Sequence, residues 1–192
     1  MEVKNLHPRR VLDPPSPILR VLAEFHQLKN LYRQGWLKRH VPKEKCESVA
    51  EHSFGVTLLA MFLAERHFPS ADLLKVIRIA LIHEAGEIYA GDITPVDGVS
   101  PEEKHRRERE SVLGVFSSLE RGGEYLQLWE EFEANRTPEA KLVRQADRLE
   151  MLLQARYYQA LGYWNFDEFF RNADALIESP ELRPLFEELK SL

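Results

Sequence analysis

Apolar residues recur along this chain at helical spacing, and cap residues punctuate the runs. Ser16-Pro17 reads as a helix cap with proline at the first helical position, followed by Ile18, Leu22, Phe25 and Leu28. Residues 35–47, GWLKRHVPKEKCE, break the period and predict a loop. Ser48-Val49-Ala50-Glu51 is a capping box, with Glu51 placed to reach back to the Ser48 amide. The helix it opens carries Val49, Val56, Leu59, Phe62 and Leu63. Ser70 predicts the next cap, with Asp72 in the first turn and Leu73, Leu74, Ile77, Ala80 and Leu81 in the helix. Ser100-Pro101-Glu102-Glu103 predicts another cap and box, opening a strongly charged helix. Thr137-Pro138 starts a long helix to about Gln159, and Ser179-Pro180 a short last one. No segment alternates with period two between hairpin turns. The pattern predicts an all-α domain over residues 16–192 around one core, preceded by a polar, proline-rich irregular arm at 1–15.

Composition narrows the class. A chain of 192 residues fits one domain and needs no covalent staples. The single Cys46 excludes an intramolecular disulfide and fits a reducing compartment. A net charge of −5 argues against coating nucleic acid. No apolar run reaches the roughly 18 residues of a membrane span, and MEVKNLHPRR lacks a signal-peptide core. These features predict a soluble cytoplasmic protein. The alternating charges of KHRRERE, residues 104–110, read as ion pairs on a solvated helix face. Trp129 and Trp164 read as packing residues.

Four polar positions interrupt the apolar faces: His52, His83, Glu84 and Asp147. The stretch LIHEAGEIYAGD, residues 81–92, is not the H-E-x-x-H zinc signature, because its fifth position is Glu87. Singly, each residue has an ordinary explanation. Together, two imidazoles and two carboxylates form a mixed nitrogen and oxygen set suited to Mn, Fe, Co, Ni or Zn.

Four blocks carry a family resemblance: ESVAEHS, RIALIHEAGEIYAGDITP, EEKHRRERE and LWEEFEANRTPEAKLVRQADRLEMLLQA. They resemble the HD-domain metal-dependent phosphohydrolases, in their 5′-deoxynucleotidase branch. The resemblance runs from about Phe25 to about Tyr158. It implies a helical bundle with a central divalent metal (Mn, Co, Ni, Fe, Zn or Mg) held by His52, His83, Glu84 and Asp147. Where the family has His-Asp, this chain has His83-Glu84, one methylene longer. The resemblance further implies that Glu87 orients the attacking water or takes its proton. It places Asp92 near the sugar or leaving-group oxygen, and Trp36 and Arg39 in the nucleotide pocket. The substrate implied is a small molecule, a (deoxy)nucleoside 5′-monophosphate, with no nucleic-acid or membrane partner, and the assembly implied is a homodimer. Two other readings keep the fold. One is a phosphodiesterase or alarmone hydrolase, and the other is a non-catalytic metal-binding module marked by Glu84.

Overall fold

The computed structural model describes residues 12–192, and most of the predicted arm lies outside them. Ten α-helices follow: α1 Pro17–Phe25, α2 Gln34–Leu37, α3 Val49–His67, α4 Leu73–Ile82, α5 Glu87–Ala90, α6 Pro101–Phe116, α7 Gly122–Ala134, α8 Pro138–Ala160, α9 Asp167–Ala173 and α10 Arg183–Ser191. No β-strand occurs among the described residues.

Helices α3, α4 and α8 form the centre, with α3 packed against both of the others. The long α8 buries Ala140, Val143, Ala146, Leu149, Leu152 and Ala155, and its alanines let neighbours approach closely. The predicted single core is two clusters. One surrounds α3, α4 and α8 and continues into Phe166, Phe170, Ile177, Leu182 and Phe186 near the C-terminus. The other joins Leu28, Val49, Ile82, Ile88, Val112, Phe116 and Trp129. Leu128 packs against both.

Both arms of the Ser48–Glu51 capping box are formed. The same helix start is tied to the preceding chain. Val49 N–H donates to the Leu31 carbonyl at 2.8 Å, and Arg33 N–H to the Glu47 carbonyl at 3.1 Å. These bonds dock residues 31–36 beside the first turn of α3.

Several expectations are corrected. Segment 35–47 is not all loop, since it contains most of α2 and a 3-10 turn at Lys43–Lys45. Asp72, not Ser70, caps α4, accepting from Lys75 N–H at 3.1 Å. Ser100 caps α6, but Glu103 does not complete a box, because its carboxylate binds Arg106 and Arg107 instead. The last helix starts at Arg183, after a turn at Pro180. Helix α7 lacks a side-chain cap, so local chemistry does not announce it. Ile18, Leu22, Phe62, Leu74 and Leu81 share the helical period of the core yet are exposed, because among the described residues no neighbouring helix covers their flank. Trp129 is buried as expected, whereas Trp164 is half exposed and only tilts against His40.

Candidate metal centre and its pocket

Three helices deliver the polar cluster. His52 lies in the second turn of α3, His83 is the C-cap of α4, and Asp147 sits midway along α8. One nitrogen or oxygen from each lies within 4.8 Å of the others. All three side chains are buried, His52 completely.

The hydrogen bonds behind the cluster fix how the imidazoles face it. His52 Nδ1 lies 2.6 Å from Glu150 Oε2, and His83 Nδ1 lies 2.7 Å from the Ala80 carbonyl oxygen. A carboxylate and a carbonyl only accept, so both Nδ1–H groups donate. Nε2 of each ring then faces inward, and both atoms are buried without a hydrogen-bond partner. Buried polar atoms left unpaired are costly and rare. Two of them, aimed into one cluster beside a carboxylate, fit a divalent cation with nitrogen and oxygen ligands. Glu150 is the outer partner that such imidazoles use for orientation. Glycine at residue 55 leaves it room in this pose: a Cβ there would lie 2.6 Å from Glu150 Oε1.

Charge in the cluster is divided unevenly. Burial works against the His52 imidazolium, but Asp147 and Glu150 outweigh it and raise its pKa to about 9. Burial lowers His83, which stays neutral. Burial also opposes the Asp147 carboxylate, yet His52 and Arg148 hold it well below the usual carboxylate range. Asp147 Oδ1 stands 3.2 Å from His52 Nε2, without the geometry of a hydrogen bond.

Glu84 sits at the margin of the cluster. Its Oε1 is 3.7 Å from Nε2 of both histidines and accepts from Arg33 Nη1 at 2.9 Å. Helix α4 does not continue to Glu87. The chain turns through Glu84–Gly86, and Glu87 opens α5. Gly86 lets α6 pack closely against this turn, because a Cβ there would meet Glu108 Cβ at 2.7 Å. Glu87 is buried and its Oε2 has no partner. Burial, then the charges of Glu84 and Asp92, push its pKa well above the ordinary value.

His83, Glu84, Glu87 and Asp147 line a cavity of about 660 Å³, a size that holds a small organic ligand. Asp92 lines it and accepts from the Gln34 amide at 2.5 Å. Met151, Phe169 and Leu176 form an apolar part of the wall. Trp36 also borders it, but 2% exposure makes it a supporting wall rather than an open platform. Its ring stacks on Phe169, and its Nε1–H donates to Glu47 Oε1 at 2.6 Å. Arg39 borders the cavity too, engaged by Glu168 and lying over the Phe169 ring. Lys38 is held by Thr94 and Asp97, the Gly98 turn being left-handed as a turn residue there requires.

Sequence reasoning missed Arg33, Lys104, Arg148 and Glu150. For Arg148 a signal existed: Arg144, Asp147, Arg148 and Met151 follow at i, i+3, i+4 and i+7, one face of α8, and all four line the cavity. Arg33 comes from irregular chain, where no period points to it.

A three-helix frame that clusters two histidines and an aspartate beside a cavity is the architecture of the HD domain. The chain belongs to that family: the HD-domain family model matches residues 25–190. The protein 5′-deoxynucleotidase HDDC2 of Danio rerio is 35% identical over 179 residues, covering 91% of this chain and 86% of the relative. A conserved hypothetical protein from Pyrococcus furiosus superposes with a TM-score of 0.78 at 31% identity, covering 91% of this chain and 99% of that one. A predicted metal-dependent phosphohydrolase from Magnetospirillum magnetotacticum gives 0.70 at 29% identity, covering 91% and 94%. Among the described residues, no helix is long and apolar enough to cross a membrane.

Proposed function

We propose that this protein is a divalent-metal-dependent phosphomonoesterase acting on deoxynucleoside 5′-monophosphates. The observation that carries the reading is the pair of buried, unpartnered imidazole Nε2 atoms clustered with Asp147, at the wall of a cavity of about 660 Å³ that His83 and Asp147 line. The substrate class rests on the relatives named 5′-deoxynucleotidases. His52, His83 and Asp147 hold the metal, with Glu84 as the fourth group. When bound, the ion lowers the pKa of a water and draws charge from phosphorus. Glu87 would orient the attacking water and take its proton, its carboxylate form being the one a neighbouring cation would favour. Asp92 faces the sugar or the leaving-group oxygen. Arg39 and Trp36 shape the nucleoside side, Trp36 by backing Phe169. The decisive experiment is turnover of deoxynucleoside monophosphates across a series of divalent metals. Hydrolysis of cyclic dinucleotides or alarmones, with monophosphates untouched, would overturn the reading.

Glu84→Asp tests the longer side chain. Shortening it withdraws the carboxylate from Arg33 and restores the reach usual in the family. Metal binding is expected to persist, with turnover equal to wild type or higher. Loss of metal binding, measured by calorimetry, would show that the centre is built around Glu.

Metal affinity is expected to depend on pH through His52. Its imidazolium persists to about pH 9 in the metal-free protein, and a cation needs the neutral ring. Protons therefore compete below that value. Apparent affinity rises by about tenfold per pH unit on approach to pH 9 and levels above it, one proton being displaced. Calorimetry in buffers of different ionisation enthalpy counts that proton, and a flat profile from pH 7 to 9 would contradict the scheme.

Residues 16–192 are proposed as one HD-type domain behind an arm at 1–15, since the family match spans 25–190 and α10 packs on α8. A homodimer is proposed as well. Phe54, Leu58 and Phe62 on α3 and Leu153 and Tyr157 on adjacent α8 leave exposed apolar surface of the kind that marks an interface. A monomeric mass in solution would exclude it. A cytoplasmic location fits the single cysteine, buried and unpaired.

A further inference from the structure

Six lysine and arginine side chains line the cavity, and five are already engaged. Arg33 is paired with Glu84 at 2.9 Å, Lys38 with Asp97 at 2.6 Å, Lys104 with Glu108 at 3.4 Å, and Arg144 with Glu133 at 3.1 Å. Arg39 is paired with Glu168. The sixth, Arg148, makes no ion pair and no hydrogen bond among the described residues, and its Nε is shut off from solvent. An arginine left this way keeps donors that carboxylate or phosphate oxygens would fill, the buried Nε–H first among them.

We propose that Arg148 is a substrate-binding residue that grips the phosphate dianion beside the metal cluster. The proposal deepens the phosphomonoesterase reading and rests on it. Three features support it. Arg148 follows Asp147 directly and shares the cavity-facing stripe of α8 with it, so its charge stands next to the cluster. Of the carboxylates that line the cavity, Glu84, Glu108 and Glu133 are paired with the cations above and Asp92 accepts from the Gln34 amide, while among the described residues neither Asp147 nor Glu87 forms an ion pair with Arg148. Finally, Arg144, one turn earlier, is fixed by Glu133, the Phe132 carbonyl and the Phe132 ring, which leaves Arg148 as the free fork on that face. A planar guanidinium matches two oxygens of a phosphate at once, as an ammonium does not.

The test titrates inorganic phosphate into manganese-loaded wild-type protein, Arg148→Met and Arg148→Gln. Loss of a charge-assisted contact should weaken phosphate binding roughly 10–100-fold in both variants. Manganese affinity should hold or tighten, because a cation next to Asp147 has been removed. Neither variant removes an existing bond, so thermal stability should not fall. Phosphate affinity within twofold of wild type in either folded variant overturns the proposal. So does wild-type protein that binds no phosphate, and so does a loss of manganese affinity that accounts for the loss of phosphate. Wild-type turnover of deoxynucleoside monophosphates, measured alongside, separates the two ideas. Arg148-dependent phosphate binding without turnover sinks the substrate reading and leaves the anion site standing. Turnover with Arg148-independent binding does the reverse.

Discussion

Asp147→Asn should abolish turnover and remove the effect of metal on thermal stability. The side chain is buried between two imidazoles and brings the centre a full negative charge, held far below the usual carboxylate range. Asparagine keeps its shape and loses that charge. Loss of an outer partner costs about 10–100-fold in metal affinity or activity, and loss of an inner ligand should exceed that. Stability provides the second readout. A ligand at about 100 times its Kd stabilises the folded state by about 2.7 kcal/mol. For a chain of this size each kcal/mol moves Tm by about 2–4 °C, so wild type should gain about 5–11 °C. The variant should gain none. The metal-free Tm must be compared as well, because Asp147 also sustains the His52 charge. A variant that keeps the metal-dependent rise and loses only turnover would move Asp147 from the centre to the substrate.

Much of this site was legible because its residues sit where periodic signals are strong. His52 follows a capping box that forms completely, and Asp147 interrupts a long apolar stripe on α8. A polar residue on a core face is conspicuous, and the family blocks then tie the remote positions together. What escaped detection depends on three-dimensional approach. Glu150 is one turn beyond Asp147 on α8, but its role depends on the space left by Gly55 on another helix. Arg33 reaches Glu84 only because the Leu31–Val49 and Arg33–Glu47 backbone bonds dock a non-helical segment there. Exposed Phe62, Leu74 and Leu81 show the converse limit: helical spacing marks an apolar residue without saying whether a neighbour covers it.

Glu87→Gln should lower kcat by about 10²–10⁴-fold, the usual contribution of a positioned general base, with little change in KM. The environment makes this substitution unusually clean. Burial and the charges of Glu84 and Asp92 keep the Glu87 carboxyl protonated well past the ordinary carboxylate range in the metal-free protein. A neutral acid and a neutral amide have nearly the same size, so the fold and the metal centre should tolerate the exchange. With a divalent cation beside it, the same carboxyl is driven toward its anionic form and can accept a proton, which the amide cannot do. The sign of the pH profile follows. Wild-type kcat should rise with pH as Glu87 ionises and then level, whereas the variant should lose that limb. Metal stoichiometry provides the control, because Glu87 is not one of the three groups that cluster within 4.8 Å. If the variant keeps both the rate and the rising limb, Glu87 serves only to fill buried space at the start of α5, and the proton acceptor must be sought at Asp92.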